Sequence, residues 1–145
     1  MGTKTPGIST SQHTKIDAIL PCLINRNWVL IQANESSGSF ITTDNPVDLS
    51  WKEPDKIPPF YRQSPGFGLK GTEVYFPVSQ DLALLGEFEG KEGAIEATEN
   101  LVAIFNSKML LNAYKQVYAP KFGFKFYVKD DEILTGNRIL RDFCA

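Results

Sequence analysis

Two cysteines, one histidine and no long apolar run mark this chain of 145 residues, and each scarcity removes a class of chemistry. Cys22 and Cys144 lie near opposite ends. Neither sits in a C-x-x-C, so zinc-ribbon and thioredoxin-type motifs are absent. Two free thiols in a reducing cytosol are expected, with a disulfide pinning the termini as the alternative. A Ser-His-Asp or Cys-His machine would have to run through His13, which lies in a polar stretch and is assigned to a tail. No apolar run reaches the roughly 18 residues of a membrane-spanning helix. The N-terminus carries no apolar signal segment. A cytoplasmic protein without a membrane partner is therefore expected. Charge excess is also lacking: 15 Lys plus Arg stand against 17 Asp plus Glu, a net −2. That balance argues against nucleic-acid binding through bulk charge.

What is present is an ordinary globular composition, 42% hydrophobic and 12% aromatic. The length predicts one domain, at about 100–200 residues per domain. A polar tail over residues 1–12 is expected to precede a single α+β domain over 13–145. Ile16, Ile19, Leu20 and Leu23 recur at helical spacing, predicting a helix near 14–24 that bends or stops at Pro21. Strands are predicted at Trp28–Ala33 and Phe40–Thr43, joined as a hairpin. Residues 48–71 read as a long irregular connection, with Trp51, Phe60, Tyr61 and Phe67 expected to fold back on the core; a ligand-facing patch is the other reading. Further strands are predicted at Glu73–Val78, with Pro77 marking an edge, and at Leu82–Phe88.

From Ala94 the pattern turns helical. Ile95, Thr98, Leu101, Val102 and Phe105 share one stripe. Asn106 or Ser107 is expected to cap a second helix burying Leu110, Ala113, Tyr114, Val117 and Tyr118. Residues 121–129 alternate as a strand, with Phe122, Phe124, Phe126 and Val128 on one face and Lys121, Lys125, Tyr127 and Lys129 on the other. Ile133, Leu134, Ile139, Leu140 and Phe143 predict one weakly amphipathic helix. The expected fold is an antiparallel sheet of four or five strands with two consecutive helices packed on one face, burying Leu101, Phe105, Leu110 and Tyr114.

The most distinctive stretch is Phe40-Ile41-Thr42-Thr43-Asp44-Asn45-Pro46-Val47. Two hydroxyls, a carboxylate and an amide at a strand end offer a charged acceptor beside neutral donors, a set that fits a metal, a sugar, a phosphodiester or a catalytic base. The same residues equally shape an Asx-Pro turn. Thr43, Asp44, Asn45 and Asn106 are the candidate binding residues. No catalytic residue, metal ligand or cofactor is assigned. Ser79 lacks both a local His and a G-x-S-x-G elbow. Gly66-Phe67-Gly68-Leu69-Lys70-Gly71 spells G-x-G-x-x-G, but no strand precedes it and no helix follows, so a dinucleotide site is rejected.

Trp28 opening a strand, Phe40-Ile41-Thr42-Thr43-Asp44-Asn45-Pro46-Val47, then Val74-Tyr75-Phe76-Pro77-Val78-Ser79, then Ala83-Leu84-Leu85 together resemble the C-terminal half of the domain of unknown function 4238 family. Asn106 and Ala113-Tyr114-Lys115-Gln116-Val117-Tyr118 fit the family's later Asn and Ala-x-x-x-Val-Tyr elements. The resemblance spans roughly residues 28–118 and implies a stand-alone or truncated C-terminal half. It implies a fold and candidate positions, not a reaction. A non-catalytic binding module is the leading expectation, with an unknown protein or small-molecule partner. A homodimer through an exposed edge at Glu73–Val78 is a further expectation. A hydrolase or nuclease-like site on Asp44, Asn45, Thr43 and Asn106, joined by Glu73 or Glu87, is the second reading. A weak nucleic-acid site on Lys121, Lys125 and Lys129 is the third.

Overall fold

The computed structural model describes residues 10–62, 65–127 and 132–137. The expectations for residues 1–9, Cys144, Val128, Lys129, Ile139, Leu140 and Phe143 lie outside the described residues. Helix α1 (Thr10–Ile24) takes in His13 and runs through Pro21 to a final turn closed by Asn25 N–H on the Pro21 carbonyl, 3.0 Å. Cys22 is a free thiol. Arg26 then turns the chain into the sheet.

Five strands form the main sheet: β1 (Asn27–Gln32), β3 (Asp48–Trp51), β4 (Thr72–Pro77), β5 (Leu82–Glu87) and β6 (Gly93–Glu96), in the order β3-β4-β5-β1-β6. Strands β4 and β5 lie where the sequence predicts them and pair as an antiparallel hairpin. The sheet as a whole is mixed rather than antiparallel, because β1 pairs with β6 in parallel. Residues 88–92 reverse the chain after β5 and carry it past the end of β1. The returning strand, antiparallel to β5, must then run parallel to β1. Residues 94–96, predicted to start a helix, are that strand.

Three further expectations are corrected. Strand β1 does not pair with the segment around Phe40, because β5 and β6 occupy both of its edges. That segment contributes only β2 (Thr42–Thr43), which pairs with β7 (Val117–Tyr118). Strand β4 is not an edge, since β3 supplies the neighbour that the irregular reading of residues 48–71 missed. Of the loop aromatics, Phe60 and Tyr61 do not fold back: they are 89% and 66% exposed and stack edge-to-face on each other.

Over residues 94–118, where two helices are predicted, one forms: α2 (Glu99–Asn112). Its cap is Thr98, whose Oγ1 accepts the Leu101 N–H at 3.2 Å. On one side Phe105 meets Tyr75 and Phe40 edge-to-face at centroid distances of 4.8 and 5.2 Å, over Ile31, Ala83 and Val102. On the other side lies β8 (Lys125–Tyr127), paired with β9 (Ile133–Thr135) where a helix is predicted. Of the alternating strand read over 121–129, the described residues 121–127 form strand only across the three of β8. Phe105 is buried as expected, whereas Leu101 and Leu110 are half-buried and Tyr114 is 79% exposed.

Asn106 is therefore not a cap but the buried middle of α2, with no exposed surface. Its Oδ1 accepts the Ile41 N–H at 2.9 Å, and its Nδ2 donates to the Ser39 and Lys125 carbonyls at 3.1 and 2.9 Å. Next to it, Ser107 Oγ donates to the Ala103 carbonyl at 2.7 Å and accepts the Tyr127 N–H at 2.6 Å. These two side chains stand in for a neighbouring strand. Replacing Asn106 by Ala strands one N–H and two carbonyls in the interior. A loss on the order of 3 kcal/mol is expected in urea unfolding, with full desolvation costs of about 1–3 kcal/mol per unpaired group. A loss below about 1 kcal/mol would show that water replaces the amide.

Candidate functional site

Ten consecutive residues, 114–123, are exposed. They follow α2 and include Tyr114, Val117, Tyr118 and Phe122, with Phe122 63% exposed. Helical spacing predicts Tyr114, Val117 and Tyr118 as a buried face, but the helix stops at Asn112 and Ala113 turns extended, with ψ 133°. The cause lies some 70 positions earlier in the chain, in the Thr-Thr-Asp-Asn-Pro turn.

Each member of that turn has a structural partner. Asp44 Oδ1 accepts the Tyr114 N–H at 2.9 Å, and Oδ2 accepts the Lys115 N–H at 2.8 Å. Asp44 N–H donates to the Gln116 carbonyl at 3.3 Å. Asn45 Nδ2 donates to the Asn112 carbonyl at 3.2 Å, satisfying one of the open carbonyls at the end of α2. Thr43 Oγ1 accepts the Asn45 N–H at 3.1 Å and tightens the turn. The turn thus ends α2 and grips the chain as it leaves the helix. Asn106 does not meet Asp44. It holds the preceding residues, Ser39 and Ile41, from a point about 9 Å back along the helix. All four candidate residues act on one continuous segment, 39–45.

Desolvation pushes the Asp44 carboxyl upward, but the backbone N–H donors of Tyr114, Lys115 and Gln116 together outweigh it and hold the group below the usual carboxylate range. The carboxylate is thereby kept charged and engaged.

Three clefts adjoin the exposed arm. One, of about 350 Å³ and mainly apolar, is lined by Leu110, Val117, Pro120, Phe122 and Phe124 among others. A second, of about 280 Å³, is lined by Phe40, Pro77 and Tyr118 together with Thr42, Ser79 and Gln80. A third, of about 570 Å³, is polar and brings Lys121 and Gly123 together with Glu35 and Asp81. The basic strand read at 121–129 is partly committed: Lys125 Nζ bonds the Ser36 carbonyl at 3.1 Å and lies 3.4 Å from Glu99, while Lys121 is exposed.

A second polar cluster went unread in the sequence. Lys108 Nζ donates to Ser50 Oγ at 2.8 Å, lies 3.3 Å from Asp48 Oδ2 and sits 4.5 Å above the Tyr75 ring. Asn112 Nδ2 donates to Asp48 Oδ1 at 2.7 Å, and the Tyr75 hydroxyl donates to Glu73. Glu87 lies opposite Glu73 across the strands and pairs with Lys52 at 2.8 Å. These groups tie β3 and β4 to α2, and Asp48, Ser50, Glu73 and Lys108 line none of the principal clefts. Burial raises the Glu73 carboxyl; the Tyr75 hydroxyl opposes that shift and Glu87 adds to it. Burial also raises the Tyr75 hydroxyl, and Glu73 raises it further. Among the described residues, no group of three His, Cys, Asp or Glu side chains is placed to hold a metal ion. No described helix is long and apolar enough to cross a membrane.

Two pH effects of opposite sign follow. Native Glu73 holds its proton above the unfolded value of about 4.3, so its contribution declines as pH rises through the raised native pKa. Glu73→Gln removes that decline: the variant gains stability relative to wild type as pH rises above the unfolded value of about 4.3, read as urea midpoints at each pH. An equal offset at every pH would refute a titrating Glu73. Native Asp44 holds its charge below the unfolded value of about 3.9, so its grip is complete at neutral pH and is lost on acidification through the native pKa. Asp44→Asn is expected to accelerate amide hydrogen exchange at Tyr114 and Lys115, while the amides of α2 between Val102 and Met109 stay protected. Unchanged exchange at the two amides would show that the carboxylate is not their anchor.

No curated protein and no solved structure is significantly similar to the chain. A family match extends over residues 7–121, wider than the 28–118 that the motifs imply; it takes in α1 and most of the chain rather than a C-terminal half alone. With the Asp44 turn, Asn106 and nearly all of the exposed arm inside that span, the chain belongs to the family described as protein of unknown function (DUF4238).

Proposed function

We propose that this protein is a binding module whose contact surface is the arm of residues 114–123, with the Thr-Thr-Asp-Asn-Pro turn as the anchor that presents it. The observation that carries this reading is the arm itself: Tyr114, Tyr118 and Phe122 stand 79%, 53% and 63% exposed on a backbone that Asp44 pins at its start. Large exposed aromatic side chains close together in the chain, beside a mainly apolar cleft, are the anatomy of a contact site. Both Asp44 oxygens already accept backbone N–H groups, which favours an anchoring role over general-base or metal chemistry at the turn.

Selection of displayed peptides on the wild-type protein tests the reading. Tyr114→Ser and Phe122→Ser are each expected to weaken the selected peptides about tenfold or more, roughly 1.4 kcal/mol. Both residues are exposed, so the unfolding midpoints should hardly move. Peptides that bind wild type and both variants equally would place the contact surface elsewhere.

A further inference from the structure

Independently of the arm, we infer that α1 is a dimerisation element: it packs on the uncovered face of the five-stranded sheet of a second copy, which returns the contact in kind. The sheet register supplies the first half of the case. Val29, Ile31, Tyr75, Ala83 and Leu85 face α2 and the core. Side chains alternate along a strand, so the residues between them share the reverse face. The pairing aligns Ala94, Leu30, Leu84 and Phe76 in one row across four strands, and Trp28, Gly86, Val74 and Leu49 in the next. The Trp28 ring lies on Gly86, where a Cβ would come within 2.7 Å of it. Beyond that ring the face opens: Leu30 is 37% exposed, and Leu49, Phe76, Leu82 and Leu84 are half-buried. A sheet with one face on the core commonly turns polar side chains outward on the other. This one turns out a continuous apolar surface, of a kind that monomers rarely leave open.

Helix α1 is the matching half. Residues 17–21 are all exposed, so more than a full helical turn has no side against the body. Only the last turn is held: Trp28 Nε1 donates to the Leu23 carbonyl at 2.9 Å, and Cys22 Sγ lies beside Gly68. Ile19 and Leu20 carry the helical stripe of Leu23 away from that contact, with Leu20 45% exposed. An isolated helix of about 15 residues is marginal in water, and Pro21 inside this one removes a further hydrogen bond. Such a helix calls for a surface to pack on. Its 15 residues span about 22 Å and the six-residue strands β1 and β5 about 20 Å, so it is long enough to cover both strands from end to end.

Three features choose a second copy as the partner. The Leu23–Trp28 bond and the Asn25 N–H on the Pro21 carbonyl, 3.0 Å, fix where the helix leaves the body, with residues 17–21 clear of their own sheet. Helix and face belong to one chain, so two copies related by a two-fold axis each donate a helix and accept one, and both apolar surfaces close at once. The sequence of α1 contains one lysine, Lys15, and one aspartate, Asp17, rather than the lysine- and arginine-rich set of a helix that lies on a membrane surface.

Sedimentation equilibrium on the full chain tests this. Wild type is expected to be dimeric at about 100 μM. Ile19→Asp/Leu20→Asp disables the helix and Leu30→Glu disables the face, each weakening dimerisation about tenfold or more. The helix variant changes only exposed side chains, so its urea midpoint at dilutions where the protein is monomeric should match that of wild type. Leu30→Ser replaces Leu30→Glu if the charge lowers that midpoint. Mixing the two variants gives the sharpest comparison. The helix of the face variant meets the intact face of the helix variant, so the mixture regains one of the two contacts and associates more tightly than either variant alone. A monomeric wild type, or a dimer that ignores both variants, would overturn the inference. A dimer lost in the face variant but not in the helix variant would put two sheets face to face and remove α1 from the interface. A monomer whose melting temperature falls in the helix variant would place α1 on its own sheet. Flotation of wild type with phosphatidylcholine–phosphatidylserine vesicles, lost in the helix variant, would assign the helix to a membrane surface instead.

Discussion

A helix covered on two sides cannot keep its polar groups on a solvent face, and most of what surrounds α2 follows from that constraint. Between the five-stranded sheet and β8, the helix buries Val102, Phe105 and Met109 together with Asn106. A buried amide is tolerated only when its donors and acceptor are used. Asn106 meets that condition by holding residues 39–41 on one side and β8 on the other. Neither flanking segment belongs to the main sheet; apart from the Phe40 N–H on the Gln80 carbonyl and the pairing of β8 with β9, the amide supplies the bonds that join them to the helix. The amide thus works as a hub between three stretches of chain that are remote in sequence.

The same segment continues into the Asp44 turn, so core and surface share one support. Residues 39–41 are fixed inside by Asn106, and residues 43–45 fix the end of α2 and the start of the arm outside. The exposed aromatic residues are held from beneath rather than by packing of their own. That arrangement lets large apolar side chains stay exposed at a defined position, where self-packing would otherwise draw them into the core.

Much of the local structure is legible in the chain. β-Branched and aromatic residues identify β4, a short apolar run identifies β5, and Phe105 is recognisable as core. The errors share one origin: they infer a partner from proximity in sequence. Trp28–Ala33 and Phe40–Thr43 look like a hairpin because a short polar loop joins them, but β5 and β6 compete for the same edges and win. Tyr114, Val117 and Tyr118 fit a helical stripe, and nothing nearby in the chain reveals that Asp44 will end the helix first. Asn106 resembles a cap because Asn is uncommon inside helices; only the two-sided burial explains its place. The Thr-Thr-Asp-Asn-Pro turn stands out in the sequence, but its partner does not.

Arg26 is 1% exposed and meets no carboxylate among the described residues. Its guanidinium donates to the Thr72, Gly86 and Phe67 carbonyls at 3.0, 3.2 and 2.7 Å and to Thr72 Oγ1 at 2.9 Å, and it lies 4.2 Å from the centre of the Phe88 ring. Every partner is a neutral dipole or a ring face. Dipoles do not titrate, and arginine keeps its proton at any physiological acidity. The joint between β1, β5 and the loop around Phe67 is therefore indifferent to the acidity that loosens a carboxylate-held arm. Acidification far enough to protonate Asp44 would loosen the arm while the Arg26 joint held.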